Sequence, residues 1–457
     1  MRDKKSLFDW IDENRPDFLA AAAEIWENPE LPLREYFAAE QVAALLEKRG
    51  FAVERGLAGL PTSFIAVFGS GAPVIGFSSE YDALPGLSQK KGAAGREPLI
   101  PGGPGHGCTH HLIAVGGPLA ACALKDWAQS EGVEITIKVF GTPAEELCVG
   151  KPFMARAGCF NNVDAFLDFH PSHRNLGGAC KSNAYFNVKY HFEGKAAHGN
   201  APWHGRSAQD AGVLMGVALE FLREHLPPGP ESMPTTFNYA FPDVGMSFPN
   251  VVPDKHTLWC VGRMANAEMA ADALKRAGDC ARGCALATGT GVKQEMIAAT
   301  HELLPNLKMS ELLDKNLREA GLPQFTREEE ALAKALQRTL GVPETGYSGE
   351  ILPVELSGQP VTDSSEYSWF APIGFLNIQL APSEAFGWHN WAVTSLGGTA
   401  AGEKVVTAAA KTLAGAAFDL VKKPEILAEA KKEWRGRLRG RTYESLLPED
   451  SEPNLDA

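Results

Sequence analysis

The spacing of apolar positions divides the chain into stretches of different rhythm. Residues Glu35 to Arg49 carry Phe37, Val42, Leu45 and Leu46 on one face of a 3.6-residue repeat, with Gly50 as the stop. Short apolar strands follow at Ser63 to Phe68 and Pro73 to Ser78, and the second runs into the loop Glu80-Tyr81-Asp82-Ala83-Leu84-Pro85-Gly86. A helix is predicted over about Leu112 to Trp127. Beyond it Ile135, Ile137 and Val139 alternate with polar residues in a strand over Glu134 to Phe140, closed by Gly141-Thr142-Pro143. A further strand, Val163 to Phe169, ends at His170-Pro171. Strands separated by helices predict an α/β fold on a mainly parallel sheet, with ligands bound beyond the carboxyl ends of the strands.

The middle of the chain follows a different order. It reads as strand (Tyr185 to Phe192), helix (Ser207 to His225), strand (about Pro234 to Phe241), strand (His256 to Met264), helix (Glu268 to Ala287) and strand (Val292 to Ala299). That is the split βαβ, ferredoxin-like pattern, which closes on itself as an α+β domain. Breaks at Leu176-Gly177-Gly178 and over His301 to Pro305 mark it as an insertion. The expected organisation is therefore a catalytic domain from residues 1–182 and 300–457 interrupted by an inserted domain at 183–299. The polar tail from Glu444 onward is expected to be loosely held.

Composition narrows the partners. The chain has 457 residues, 44% hydrophobic and 22% charged, enough for a substantial core and for more than one domain. A formal net charge of -13, with no compensating basic run, argues against nucleic acid and against an anionic membrane surface. The N-terminus lacks the apolar stretch of a signal peptide and no segment is long enough to span a bilayer, so a cytoplasmic protein is expected. The cysteines, Cys108, Cys122, Cys148, Cys159, Cys180, Cys260, Cys280 and Cys284, form no CxxC pair, which argues against a disulfide framework, and apart from Cys108 they read mostly as small buried hydrophobes.

Metal-ligand residue types concentrate at four strand ends: Gly105-His106-Gly107-Cys108-Thr109-His110-His111, Thr142-Pro143-Ala144-Glu145-Glu146, Phe169-His170-Pro171 and Gly387-Trp388-His389-Asn390. A thiolate, imidazoles and a carboxylate together suit Zn, Mn, Co or Ni better than Mg or Ca. Cys108 and His110, two apart in an extended segment, would point the same way. The adjacent acids Glu145 and Glu146 would repel each other unless cations or protons compensate, so one can ligate metal while the other stays free as a base.

On Glu80-Tyr81-Asp82-Ala83-Leu84-Pro85-Gly86-Leu87, the run from Gly105 to His110, Pro143-Ala144-Glu145-Glu146 and Gly387-Trp388-His389, together with Ala196-Ala197-His198, Ala201-Pro202-Trp203, Gly205-Arg206-Ser207, Pro249-Asn250-Val251-Val252-Pro253-Asp254 and Thr362-Asp363, the chain resembles the aminoacylase and glutamate-carboxypeptidase clan of co-catalytic metallopeptidases, in its amidohydrolase branch. The resemblance spans nearly the whole chain. It implies two divalent transition-metal ions per subunit, Mn or Zn, held by Cys108, His110, Glu146, His170 and His389, with Glu145 as the base. It further implies that Asp82 orients a ligand from behind, and that Asn250 and Arg263 contact a small-molecule substrate. The inserted domain would mediate a homodimer or pairing with a second related subunit, across which His198 stabilises the oxyanion.

Three departures bear on the substrate. Leu147-Cys148-Val149-Gly150-Lys151 replaces a glycine-rich run, Thr109 and His111 stand where Gly and Asp or Asn are common, and Thr362-Asp363-Ser364-Ser365-Glu366 differs from the usual version. Trp203, Trp369, Trp388 and Trp391 suit either a flat aromatic substrate or core packing. Hydrolysis of an aromatic N-acyl or aminobenzoyl amino acid leads; removal of an amino group from a substituted aromatic ring is the alternative within the same chemistry, and a non-catalytic metal-binding or regulatory protein the alternative outside it.

Overall fold

The computed structural model describes residues 3–246 and 248–455. The chain divides into two compact units. The first takes residues 3–180, Leu304–Ser357 and Tyr367–Tyr443; the second takes Lys181–Leu303, Gly358–Glu366 and residues 444–455. Two of these segments, Gly358–Glu366 and 444–455, join the second unit although the sequence reading put them in the catalytic part. The reason is local: His301 hydrogen-bonds through Nδ1 to Glu366 Oε1 at 2.9 Å and through Nε2 to the Glu444 carbonyl at 3.1 Å.

The strands, in chain order, are β1 Ala52–Arg55, β2 Phe64–Phe68, β3 Val74–Ser79, β4 Thr136–Gly141, β5 Ala165–Ser172, β6 Leu176–Lys181, β7 Ala184–Glu193, β8 Thr236–Asp243, β9 Lys255–Met264, β10 Gly291–Thr300, β11 Leu356–Gly358 and β12 Ile373–Gln379. The first unit is built on an eight-stranded sheet ordered β1-β2-β4-β3-β5-β12-β6-β11. Its centre, β4, β3, β5 and β12, is parallel, and antiparallel strands flank it. The chain passes from β3 to β4 on one side and then across to β5 on the other, so the strand order reverses around β3. In open α/β sheets the crevice beyond the carboxyl ends at such a reversal is where ligands bind.

The helix His110–Glu131 lies on this sheet with every residue from His110 to Leu124 buried. Its alanines and glycines let it approach closely: a Cβ on Gly117 would sit 2.3 Å from the Ser78 carbonyl oxygen. Helices Lys4–Glu27 and Ala400–Lys422 pack around it and complete the apolar core. Leu176-Gly177-Gly178, expected to be a break, is strand β6. It pairs with β12, and Gly177 is required because a Cβ there would lie 2.3 Å from the Ser310 carbonyl oxygen.

The second unit holds an antiparallel sheet ordered β10-β7-β9-β8, with helices Ala208–Glu224 and Ala267–Thr288 packed against it. Among the described residues no helix is long and apolar enough to cross a membrane.

Candidate metal centre

The carboxyl edge of the four parallel strands collects the chemistry. Glu80 and Asp82 follow β3, the 3-10 turn Glu145–Leu147 follows β4, His170 lies within β5, and His389 comes after β12. Cys108 precedes the long buried helix, and His110 is its first residue. Potential ligand atoms fall into three overlapping groups, each within 4.8 Å: Cys108, His110 and His170; Cys108, Glu146 and His389; His110, Glu145 and Glu146. Cys108 Sγ is 3.4 Å from His170 Nε2, His389 Nε2 is 3.4 Å from Glu146 Oε2, and His110 Nε2 is 3.7 Å from Glu145 Oε2. Glu145 is held at the edge of this cluster, 13% exposed. The His389 side chain is 53% exposed, so the centre opens to solvent on its side.

The turns that aim these groups are strained. Thr109, Ala144, Cys148 and His389 all adopt positive φ, between 56° and 65°, without being glycine. Such conformations persist only where surrounding contacts over-determine them, and they cluster at functional sites. Thr109 also corrects the spacing argument for Cys108 and His110. The segment is not extended; a left-handed Thr109 ends the loop and begins the helix, and the two side chains converge through that kink.

Asp82 joins two of the candidate ligands. Its Oδ1 is 2.8 Å from His110 Nδ1, and its Oδ2 accepts from the Glu146 backbone N–H at 3.0 Å. An ionised Asp82 accepts a hydrogen bond from Nδ1–H, which keeps the proton on Nδ1 and leaves the lone pair of His110 on Nε2, directed at the cluster. That Nε2 and Glu146 Oε1 are both buried without a hydrogen-bond partner. Burial, and to a lesser degree the neighbouring Glu145, pushes the Glu146 carboxyl up to about 8. Burial and then Glu80 raise that of Glu145. A pocket that gathers acids, leaves acceptor atoms unfilled and disfavours their ionisation fits divalent metal ions, and the sulfur, nitrogen and oxygen donor set is that of transition metals.

Two buried groups behind the centre escaped the sequence reading. The Glu35 carboxylate accepts from the N–H groups of Leu33 (2.8 Å) and Ala144 (2.9 Å) and from the Thr62 hydroxyl (2.9 Å). Lys151, fully buried, places Nζ 2.7 Å from Glu80 Oε1. Glu80 stands in a segment that carries the resemblance and Lys151 in a segment that departs from it, which is the only sequence signal for either.

The other expected site residues belong to the second unit. His198 is exposed and forms a β-bridge with Val251, and Gly199 N–H donates to the Asn250 carbonyl at 2.8 Å, so His198 and Asn250 occupy neighbouring loops. Arg263 stands apart on β9, with its guanidinium over the Tyr185 ring at 5.6 Å. Of the tryptophans, Trp388 meets the His170 ring edge-on with centroids 5.6 Å apart, Trp369 is buried in the core, Trp391 packs against it, and Trp203 is exposed. His111, buried, bonds to the Gly397 carbonyl at 3.1 Å, and Glu366 secures His301, so both departures from the family pattern serve packing contacts.

No family model matches the chain. Individual proteins do. It is 32% identical to one of the subunits of p-aminobenzoyl-glutamate hydrolase of Escherichia coli (strain K12), over 98% of each chain, and 30% identical to Xaa-Arg dipeptidase of Mus musculus, over 95% of this chain and 93% of that one. The companion subunit of the same Escherichia coli hydrolase is 28% identical over 67% of this chain and 70% of its own. Among solved structures, a dinuclear metal binding peptidase from the M20 family of Bacillus subtilis superposes with a TM-score of 0.53 at 18% identity, covering 89% of this chain and 98% of that one. Identity over nearly the whole length decides the family: the chain belongs with the p-aminobenzoyl-glutamate hydrolase subunits, in the aminoacylase and glutamate-carboxypeptidase clan of metallopeptidases.

Proposed function

We propose that this protein hydrolyses the amide bond of an aromatic N-acyl or aminobenzoyl amino acid, with Glu145 as general base and Cys108, His110, Glu146, His170 and His389 holding two Mn or Zn ions. The observation that carries the reading is the position of Glu145. Its carboxylate is 3.7 Å from His110 Nε2, at the edge of three groups of potential ligand atoms, where it can accept a proton from a water held among them.

When bound, a pair of divalent cations would polarise the scissile carbonyl and make a coordinated water acidic near neutral pH. Glu145 takes the proton from the attacking water and passes it to the departing nitrogen. Asp82 fixes the tautomer of His110 and, through the Glu146 N–H, the pitch of the turn that carries both glutamates. Trp388, stacked edge-on against His170, offers an apolar wall for a planar acyl group. His198, reaching in from the partner subunit, stabilises the oxyanion, while Asn250 and Arg263 contact the substrate.

Dimerisation through the second unit has physical support. Helix Ala208–Glu224 exposes Val213 (51%), Val217 (47%) and Phe221 (66%) one turn apart, and the edge strand β8 exposes Phe241 (39%). A stripe of that kind favours a second copy or a related subunit. Phe221→Glu should yield a monomer by analytical ultracentrifugation, with lost turnover but unchanged metal content; a dimeric variant would exclude this face. The setting is cytoplasmic.

The deciding experiment presents Mn- and Zn-loaded protein with aminobenzoyl-glutamate, N-acyl amino acids, Xaa-Arg dipeptides and substituted anilines, reading products by mass spectrometry. Release of the free amino acid from an aromatic acyl conjugate is expected. Ammonia from anilines alone would favour aromatic deamination, cleavage of dipeptides alone would move the substrate to that class, and no turnover of any would favour a non-catalytic role.

A further inference from the structure

Strands β5 and β12 run parallel, and their register sets Asn377 opposite His170 and Gln379 opposite Ser172. Leu167 and Phe169 on β5, and Leu376 and Ile378 on β12, belong to the main apolar core. Side chains alternate along a strand, so Asn377 stands on the other face of the sheet, together with His170 and Ser172. Paired strands lie about 4.8 Å apart, which puts Asn377 immediately beside the candidate ligand His170. Asn377 is 7% exposed and Ser172 8%, yet no described residue hydrogen-bonds the Asn377 carboxamide or the Ser172 hydroxyl, and their polar atoms are not sealed from solvent. Gln379, next along β12 on the same face, behaves otherwise. It donates to the His173 and Pro382 carbonyls at 3.2 and 3.0 Å and accepts from the Ser348 N–H at 2.8 Å. Side chains as buried as these are ordinarily hydrogen-bonded within the protein, so two left open on either side of His170 form a place for a ligand's polar group. Trp388, edge-on to His170 with centroids 5.6 Å apart, adds an aromatic surface there.

We infer that Asn377 and Ser172 receive the acyl ring of the substrate and select for a ring that carries an amino group. The inference rests on the amide-hydrolysis reading above and concerns the acyl side of that same site. An aromatic amine offers two N–H donors, and Asn377 Oδ1 and Ser172 Oγ are two acceptors for them. With the ring against Trp388, the amino group meets these acceptors beside His170 while the scissile amide faces Glu145. Discrimination follows from unpairing: a ring that lacks the amino group displaces water from both side chains and gives them nothing in return, which costs binding. A purely structural pair makes a different prediction, because its loss would slow every substrate alike.

The test compares p-aminobenzoyl-glutamate with benzoyl-glutamate as substrates of the Mn-loaded full chain, and the free acids p-aminobenzoate and benzoate as ligands by isothermal titration calorimetry. Wild type should favour the amino ring about tenfold or more in kcat/KM, and bind p-aminobenzoate more tightly by a similar factor. Asn377→Leu should lose more on the amino ring than on the plain one, bringing both ratios to about one. Ser172→Ala should move them in the same direction. Equal losses on the two rings overturn the inference and make the pair structural, and a wild-type preference retained in either variant overturns it too. Should Asn377→Leu not fold, Asn377→Ala, which removes the amide without adding bulk, takes its place. Wild type that makes no distinction between the two rings overturns the inference without any variant. Wild type that discriminates between the free acids yet cleaves neither conjugate upholds the ring pocket and sinks the amide-hydrolysis reading, a result distinct from all of these.

Discussion

The carboxylate of Glu35 accepts a hydrogen bond from the backbone N–H of Ala144 at 2.9 Å, joining positions 109 residues apart. Ala144 is the left-handed residue that turns the chain into Glu145 and Glu146, so a side chain near the first helices sets the pose of both acids. Glu35→Ala leaves three donors without their acceptor. It should cost about 1–3 kcal/mol in chemical denaturation, together with most of kcat. Glu35→Gln, which still accepts through its carbonyl oxygen, should keep most of both. Burial, then repulsion from Asp82, raises the Glu35 carboxyl from 4.5 to about 8. A raised carboxyl supports the fold fully below its unfolded value and loses that support as pH climbs through its folded value. In chelator, wild type should therefore lose stability relative to Glu35→Gln between pH 4.5 and about 8. A constant difference over that range would remove Glu35 from this account.

Glu145→Gln should retain metal by mass spectrometry and lose about 10²–10⁴-fold in kcat, the usual contribution of a positioned proton acceptor. A metal-replete variant with ordinary turnover would mean that another group takes the proton.

Asp82→Asn exchanges a full acceptor for an amide beside His110 Nδ1 and removes the negative charge that fixes the tautomer. Metal affinity measured by competition with a chromophoric chelator should fall about 10–100-fold. Dialysis against chelator should abolish activity in wild type, and added Mn or Zn should restore it. Turnover that survives complete metal removal would be incompatible with the proposed chemistry.

Cys148 holds φ at 56° where glycine would be unstrained. Cys148→Gly should therefore be more stable than Cys148→Val by about 1–2 kcal/mol, because a β-branched side chain is the least tolerant of that conformation. Thermal denaturation of the two variants, ranked with their kcat, checks whether relaxing this turn also disturbs Glu145.

Much of this was legible in the chain. The strand expected at Glu134 to Phe140 is found at Thr136–Gly141, and the one expected at Val163 to Phe169 is Ala165–Ser172, because strict alternation and apolar runs survive as registers in the sheet. The candidate ligand residues are conspicuous in the sequence because imidazoles, a thiol and paired acids stand at the ends of apolar strands, and the structure brings them within reach of one another. Helix Lys4–Glu27 is hard to read from the chain although Leu7, Ile11, Phe18 and Ile25 are all buried, since Pro16 in its middle reads as a break. Glu35 and Lys151 were invisible for another reason. A charged residue at a helix start looks solvated until the fold places Ala144 or Glu80 against it, and no local period encodes such a meeting.

Strand β12 lies directly beside β5, with Asn377 opposite His170, yet Lys181–Leu303 and more lie between them along the chain. A ribosome making this protein thus finishes most of the second unit before the central sheet can close, and His389 emerges later still. A nascent chain arrested before that point would carry Cys108, His110, Glu146 and His170 without the histidine at the solvent-facing side. Vectorial synthesis itself therefore postpones completion of the proposed ligand set until long after its first members have left the ribosome.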